Sequence, residues 1–241
     1  IEACLVGSEM CIRDSITGAS SGIGHALVKQ LSQNPNHRIL AIARNENKLK
    51  ALKANCRFPQ NIHYISFDLS AENFDDLDTK IKKCFSRVDI LVNNAAMILH
   101  KNFVDSTDAD YEKVYRLNVL APIKLTRIVH PLCNKKAHIV NIGSMGGVQG
   151  SVKFAGLSLY SSSKGAIATL TECLAVEFEK DEIFVNCLCF GAVATEGLKK
   201  AFPDYEAPIS ADEMATFAAD FICNGHRFFN GKVLPVATST P

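Results

Sequence analysis

Hydrophobic and polar positions fall in blocks along this chain, and the blocks differ in period. Short apolar runs at 39–43, 63–67, 88–92, 137–142, 183–189 and 232–236 read as buried strands. Between them lie stretches with a helical period, at 25–32, 45–55, 72–85, 110–132, 158–180 and 212–223. Ile16-Thr17 ends a first strand and runs into a glycine-rich turn, and Asn34-Pro35-Asn36 stops the helix that follows. Leu49 and Leu52 share one helical face. The stretch 110–132 predicts one long helix, bent near Pro122 because proline lacks an N–H and crowds the preceding turn. Residues 191–208, with Gly197, Pro203 and Pro208, read as irregular. Strands separated by helices at this spacing predict βαβ units. The fold class is α/β, a doubly wound parallel sheet with helices on both faces and a single domain.

Composition narrows the function classes. The 241 residues are 47% hydrophobic and 21% charged, enough for one substantial core and too apolar for global disorder. Lys plus Arg is 26 against 25 for Asp plus Glu, so a net charge of +1 gives no electrostatic reason to expect nucleic acid or an anionic membrane as partner. No apolar stretch reaches the roughly 18 residues of a membrane span. Nine cysteines are scattered, without a CxxC and without histidines at zinc-ligand spacing. They read as small buried hydrophobes in a reducing, cytoplasmic compartment, with no metal site. Cys187 and Cys189 lie two apart in an apolar run and are expected to share one strand face.

The first fifteen residues read IEACLVGSEMCIRDS. Glu2, Glu9, Arg13 and Asp14 interrupt any apolar core, so the segment is not a signal peptide. Residues 5–14 resemble a translated sequencing-library adapter. A central parallel strand is normally a near-continuous apolar run, which Arg13-Asp14 breaks. Residues 1–14 are therefore expected to be non-native, and 15–241 to form the domain.

Four features carry chemistry. Thr17-Gly18-Ala19-Ser20-Ser21-Gly22-Ile23-Gly24 lies between a strand end and a helix start, where glycines admit a phosphate and the helix N-terminus offers unpaired N–H groups. Tyr160 and Lys164, four apart, share a helix face, and a cation beside a phenol lowers its pKa toward neutrality. Ser144 lies just past a strand, at the carboxyl end where open α/β sheets place ligands. Asn118 is an amide among Leu117, Val119 and Leu120; a local hydrogen-bonding role is the simple alternative.

In this order, with Asp68 and the Asn93-Asn94-Ala95 turn, these residues resemble the short-chain dehydrogenase/reductase family, over Ser15 to about Val236. The resemblance implies a Rossmann-type fold and an NAD(P)-dependent oxidoreductase that interconverts a carbonyl and a secondary alcohol by hydride transfer. It implies Tyr160 as general acid or base, Lys164 lowering the Tyr160 pKa and bonding the nicotinamide ribose, and Ser144 polarising the substrate carbonyl. Asn118 would anchor a water behind Lys164. Gly18, Ser20, Ser21, Gly22, Ile23 and Gly24 would hold the cofactor pyrophosphate. Asp68 and Leu69 would meet the adenine. Asn93, Asn94, Ala95, Gly191, Val193 and Thr195 would line the cofactor. Ala43 replaces the acidic residue of an NAD-preferring site and Arg44 follows it, so NADP(H) is preferred, with NAD(H) possible.

The nearest broad resemblance is to bacterial 3-oxoacyl-[acyl-carrier-protein] reductases. The partner implied is a small-molecule carbonyl or alcohol, with no nucleic acid and no membrane. The helix at 158–180 has more apolar surface than one sheet-facing stripe needs, which with the resemblance implies a homodimer or homotetramer. The chain departs from the family pattern in several places. Ala96 stands where a glycine is usual, and strain is expected there. Phe190 replaces a proline, and the interval from Ser144 to Tyr160 is longer than usual, which suggests a flexible insertion over the site mouth. Residues 191–209 are expected to form a substrate lid. The rival function is a catalytically weak NADP(H)-binding regulator, whose expected mark, loss of Tyr160 or Lys164, is not present.

Overall fold

The computed structural model describes residues 11–238. Seven parallel strands form one sheet: β1 (Ile12–Thr17), β2 (His37–Ala43), β3 (Ile62–Ser66), β4 (Val88–Asn93), β5 (Cys133–Ser144), β6 (Phe184–Phe190) and, last in the chain, β9 (Val233–Val236). Their spatial order is β3-β2-β1-β4-β5-β6-β9, and every adjacent pair is parallel. The order reverses between β1 and β4, and such a switch point opens a crevice at the strand carboxyl ends.

β2 shows why its apolar run becomes a central strand. Ile39 and Ala41 pack into the core on one face, and Leu40 and Ile42 into the core on the other. A period of two with both faces covered requires unbroken apolar sequence. Helices α1 (Gly22–Leu31) and α8 (Ala211–Asn224) supply the first face, with Leu27 and Ile222 among the buried side chains. The second face is covered by α3 (Asp75–Cys84), α5 (Ala121–Val129) and α6 (Ser158–Glu177), with Leu77, Leu125 and Ala175. Helix α2 (Glu46–Ala54) starts where Asn45 caps it, accepting the Lys48 N–H. Cys187 and Cys189 share a face of β6 as expected, both fully buried with sulfurs 3.7 Å apart.

Three expectations change. The predicted helix 110–132 is divided: α4 (Asp108–Tyr115), a π-turn (Arg116–Leu120), α5, and a closing 3-10 turn (His130–Leu132). A capping box of Thr107 and Asp110 starts it earlier than predicted. Pro122 sits in the first turn of α5, and the wide π-turn directly before it takes up the break. The supposedly irregular 191–208 contains β7 (Val193–Ala194) and α7 (Glu196–Ala201), and β8 (Ile209–Ser210) follows it; β7 and β8 pair in parallel, and Thr195 caps α7. Finally, Arg13 and Asp14 do not break the first strand. The Arg13 N–H donates to Asp89 Oδ2 at 2.9 Å, and Asp14, fully buried, meets His37 Nδ1 at 2.6 Å. Residues 1–10 of the suspected foreign segment lie outside the described residues. Among the described residues, no helix is long and apolar enough to cross a membrane, and no group of three or more His, Cys, Asp or Glu could hold a metal.

Candidate active site

The crevice is built from two turns locked to one another. The Thr17 hydroxyl, at the end of β1, donates to Val92 O and accepts the N–H groups of Asn94 (2.9 Å) and Ala95 (3.0 Å). The Asn94 amide in return donates to Thr17 O at 2.8 Å. Gly18 follows with φ +68°, and a Cβ there would lie 2.8 Å from Asn94 Nδ2. A Cβ at Gly24 would lie 2.5 Å from the same nitrogen, so only glycine lets α1 approach this turn. Ser21 is the N-cap of α1 but makes no side-chain capping bond, and no acidic residue lies in the first turn. The first amides of α1, beside Ser20 and Ile23, thus keep their positive end unneutralised. Thr195, at the start of α7, lies over this turn: a Cβ on Gly22 would be 3.2 Å from its methyl group.

The adenosine-side residues separate. Ala43 is buried at the end of β2, and the Arg44 side chain is exposed. Asp68 Oδ1 accepts from the Ser70 N–H (2.9 Å) and hydroxyl (2.7 Å). Partial burial would raise its pKa, but these bonds and the Arg44 guanidinium hold it below the usual carboxylate value. The side chains of Leu69 and Val193 turn into the core, so neither is available as a side-chain contact to a cofactor. Asn93 is also buried; its amide donates to Asn141 Oδ1 (2.9 Å) and Thr126 Oγ1 (3.2 Å), tying neighbouring strands together. The Gly191 N–H donates to Val236 O at 3.0 Å, and a Cβ there would lie 2.9 Å from that of Ala237.

Ser144, Tyr160 and Lys164 converge at the other end. Ser144 closes β5, and its hydroxyl hydrogen-bonds the Tyr160 phenol. Burial pushes the phenol pKa up, and the Ser144 bond opposes this. Lys164 is buried one turn along α6, with Nζ donating to Ile142 O at 2.7 Å and lying 5.9 Å from the Tyr160 ring centre. Burial lowers its amine to about 8, with the thiols of Cys187 and Cys189 opposing. The Lys164 amine faces the Ile142 carbonyl, and burial holds the phenol above its ordinary value.

Asn118 lies in the π-turn, and its side chain is fully engaged. Oδ1 accepts the Met97 N–H (2.9 Å), and Nδ2 donates to Met97 O and Ser163 Oγ, both at 3.0 Å. Ser163 in turn donates to Tyr160 O at 2.7 Å. Asn118 therefore fixes the 97 segment against the helix that carries Tyr160. Ser163 and Thr17 are positioning residues that the sequence reading passed over. A hydroxyl three residues after Tyr160 in Tyr-Ser-Ser-Ser-Lys, and a threonine ending a strand, were the available signals.

Two departures prove mild. Among the described residues, the only non-glycine residues with positive φ are Lys136 and Glu182, so Ala96 sits without the expected strain. The insertion after Ser144 begins as a 3-10 turn (Met145–Gly147) packed on α6, where a Cβ on Gly147 would lie 2.6 Å from the Lys164 carbonyl carbon. Lys153 folds back on it, donating to Val148 O and Ser151 Oγ, both at 2.6 Å.

Known proteins resemble this chain in sequence and in fold. Residues 15–206 match the family model described as short chain dehydrogenase. The chain is 33% identical over 203 residues to short-chain dehydrogenase/reductase olcF of Penicillium canescens, covering 80% of this chain and 74% of that protein. It is 31% identical over 214 residues to the very-long-chain 3-oxoacyl-CoA reductase of Mus musculus, covering 85% and 66%. A solved structure of 4-hydroxyisoleucine dehydrogenase complexed with NADH aligns with a TM-score of 0.80 at 26% identity, over 93% of this chain and 96% of that one. Since the family model spans most of the chain and the sheet follows the same doubly wound plan, this protein belongs to the short-chain dehydrogenases and reductases and is an oxidoreductase.

Proposed function

We propose that the chain interconverts a carbonyl and a secondary alcohol using NADP(H), with Tyr160 as general acid or base. The observation that carries this is the convergence of Ser144 and Tyr160, hydrogen-bonded to one another, above the buried Lys164. The glycine turn fits a dinucleotide: Gly18 and Gly24 let α1 close on the 94–95 turn, and the uncapped amides of α1 suit a pyrophosphate. Gly18, Ser20, Ser21, Gly22, Ile23 and Gly24 would hold it, with Thr195 above and Arg44 near the adenosine ribose. Asn94 and Ala95 face this turn. When bound, the nicotinamide supplies or accepts the hydride.

This chain's own residues handle the oxygen and its proton. Ser144 Oγ donates to the substrate oxygen and gathers its developing charge. Tyr160 Oη gives its proton to that oxygen during carbonyl reduction and takes it back during alcohol oxidation. Burial favours the neutral phenol. Lys164 sits with its amine near 8, able to carry positive charge beneath the phenol at neutral pH. Asn118 and Ser163 hold α6 in place.

Within this class we keep bacterial 3-oxoacyl-[acyl-carrier-protein] reductases as the nearest resemblance, and the name of the Mus musculus relative supports 3-oxoacyl chemistry. We further propose that residues 191–209 form the substrate lid of a single domain, 15–241, that residues 1–14 are non-native, and that the enzyme works in the cytoplasm as a homodimer or homotetramer. Contacts at both ends of α7 support the lid: Lys48 pairs with Glu196 at 3.2 Å, and Phe202 packs on His100.

Tyr160→Phe keeps the ring and removes the proton. Turnover of a ketone panel should fall about 100-fold or more, while NADPH binding, followed by its fluorescence, persists. Near wild-type turnover in this variant would refute the assignment.

A further inference from the structure

We propose that Cys187 and Cys189 form a redox-modification site behind Ser144 and Lys164: hydrogen peroxide closes the two thiols to an intrachain disulfide, and the closure moves Ser144 and Lys164 out of working position. The effect on turnover rests on the oxidoreductase reading above; the disulfide itself does not.

The two thiols project from one face of β6, with their sulfurs 3.7 Å apart. Both lie against Gly143 of the neighbouring strand β5. A Cβ at that position would come 2.6 Å from Cys189 Sγ and 2.7 Å from Cys187 Sγ. A side chain there would drive the sulfurs aside, so glycine at 143 is what lets them meet. The pair also stands apart from the two large cores. It shares a small cluster with Ile167, rimmed by the partly buried Val148, Leu170 and Val233. Both thiols are fully buried, but a single layer of side chains covers them, and hydrogen peroxide is little larger than water.

The surroundings make the thiols unequal. The hydrogen bond from Cys187 holds the Cys189 thiol below its ordinary value; burial opposes this, and the Ser144 N–H and the Lys164 ammonium reinforce it. The same bond, with burial, pushes the Cys187 thiol well up, against Lys164 and the Thr171 hydroxyl. Cys189 is therefore the attacking sulfur and Cys187 the resolving one.

Cys189 sulfur attacks one peroxide oxygen: the S–O bond forms, the O–O bond breaks, and the other oxygen leaves as water with the Cys189 proton. Cys187 sulfur then attacks Cys189 sulfur: the S–S bond forms, the S–O bond breaks, and the departing oxygen leaves as water with the Cys187 proton. The two thiols together lose two electrons, and the peroxide is reduced to two waters. Closure draws the sulfurs from 3.7 Å to about 2.0 Å. It pinches β6 beside Gly143 and takes from the Ser144 N–H the sulfur it faces. Ser144 and Ile142, whose carbonyl holds Lys164 Nζ, flank that glycine. A displacement of about 1 Å at reacting groups is enough to cost roughly 100-fold in rate. Residues two apart on a strand lie about 6.6 Å from each other, near the limit for a disulfide, and such a bond is readily reversed by a dithiol.

The test treats the protein with hydrogen peroxide, removes the excess with catalase, and follows ketone turnover together with peptide mass. Trypsin leaves both thiols in one peptide, 181–199. We expect that peptide, alkylated without reduction, to have lost two hydrogens and to carry no alkyl group. Turnover should fall about 100-fold, and dithiothreitol should restore both readings. Cys187→Ala and Cys189→Ala should each resist the same treatment. Alkylation of both thiols in the treated wild type, or oxygen retained on either sulfur, overturns the inference. So does a disulfide that leaves turnover unchanged, or inactivation that persists in both single variants. Should an alanine variant fail to fold, the wild-type arm alone decides. If the untreated protein reduces no ketone, the oxidoreductase reading falls, and the peptide mass still supports or overturns the disulfide.

Discussion

At the scale of single residues, cofactor choice turns on Ala43 and Arg44. A charge-assisted bond to a phosphate is worth about 1.5–3 kcal/mol, or roughly tenfold to a hundredfold in affinity. Arg44 is exposed, so screening by water places the effect at the lower end. NADPH is expected to exceed NADH by about tenfold in kcat/KM, and Ala43→Asp with Arg44→Ala to reverse the order. Equal use of both cofactors by the wild type removes the argument; an unchanged preference in the double variant moves the phosphate site toward Ser20, Ser21 or His25. His138 sets a different dependence. It is buried in β5, with its Nδ1–H facing Ile222 O at 2.9 Å and Nε2 facing the Asn186 amide at 3.0 Å. Burial lowers the imidazole from 6.5 to about 4, although the Ile222 carbonyl opposes this. The unfolded chain then binds more protons between those values. Stability from this group is full above about pH 6.5 and is lost as pH falls through 4, by about 3 kcal/mol. Urea unfolding from pH 7 down to pH 4.5 should show the slope, and His138→Gln should flatten it.

At the scale of elements, β1 is where sequence and fold disagree most. Asp14 is fully buried in a central strand, and its Oδ1 finds no partner among the described residues. Burial would lower the His37 imidazole, but hydrogen bonds with Asp14 and Cys223 outweigh it and raise it to about 10. A raised histidine stabilises fully below about pH 6.5, and that stability is lost as pH climbs through 10. Replacing residues 1–14 by Met and a short strand rich in Val, Ala and Leu should raise Tm most at alkaline pH, where the His37 pair no longer contributes and the unpaired buried carboxyl oxygen of Asp14 still costs. It should also remove the alkaline loss of stability, since His37 keeps only Cys223. An unchanged Tm together with genomic DNA encoding the segment would count against a foreign origin. Other elements were legible for a plain reason: β2 and β5 are covered on both faces, and that demands apolar runs. Ser144, Tyr160 and Lys164 were legible because their spacing survives on a strand end and a helix. The π-turn was not, since it holds Asn118 on Met97, more than twenty residues away in sequence, and a tertiary contact of that kind leaves no local period. Leu69 and Val193 turn their side chains into the core, a direction that a resemblance, which names positions only, does not give. The lid's β7–β8 pair has only two residues per strand, too few to show a period.

At the scale of the whole molecule, α6 is the element whose surface does not match a lone chain. Its inward stripe is Leu159, Ser163, Ile167, Thr171 and Ala175, each four residues after the last. Its other side still carries Leu170, Leu174 and Val176. Val176 is 73% exposed. Across a shallow groove, α5 presents Ile123, and Phe178 closes the end. Leu120, also exposed, precedes α5. An apolar band shared by two adjacent helices that run in the same direction can face its own copy across a twofold axis, which a two-chain assembly uses and a single chain leaves in water. The expected mass in solution is therefore two or four chains. Ile123→Glu with Val176→Glu would set like charges facing each other across the axis and move the population toward single chains. Light scattering at micromolar concentration reads both outcomes. A wild-type monomer would contradict the assembly, and an unchanged oligomer in the double variant would place the interface elsewhere, with the exposed Phe217 and Phe228 of the α8 side the next surface to alter.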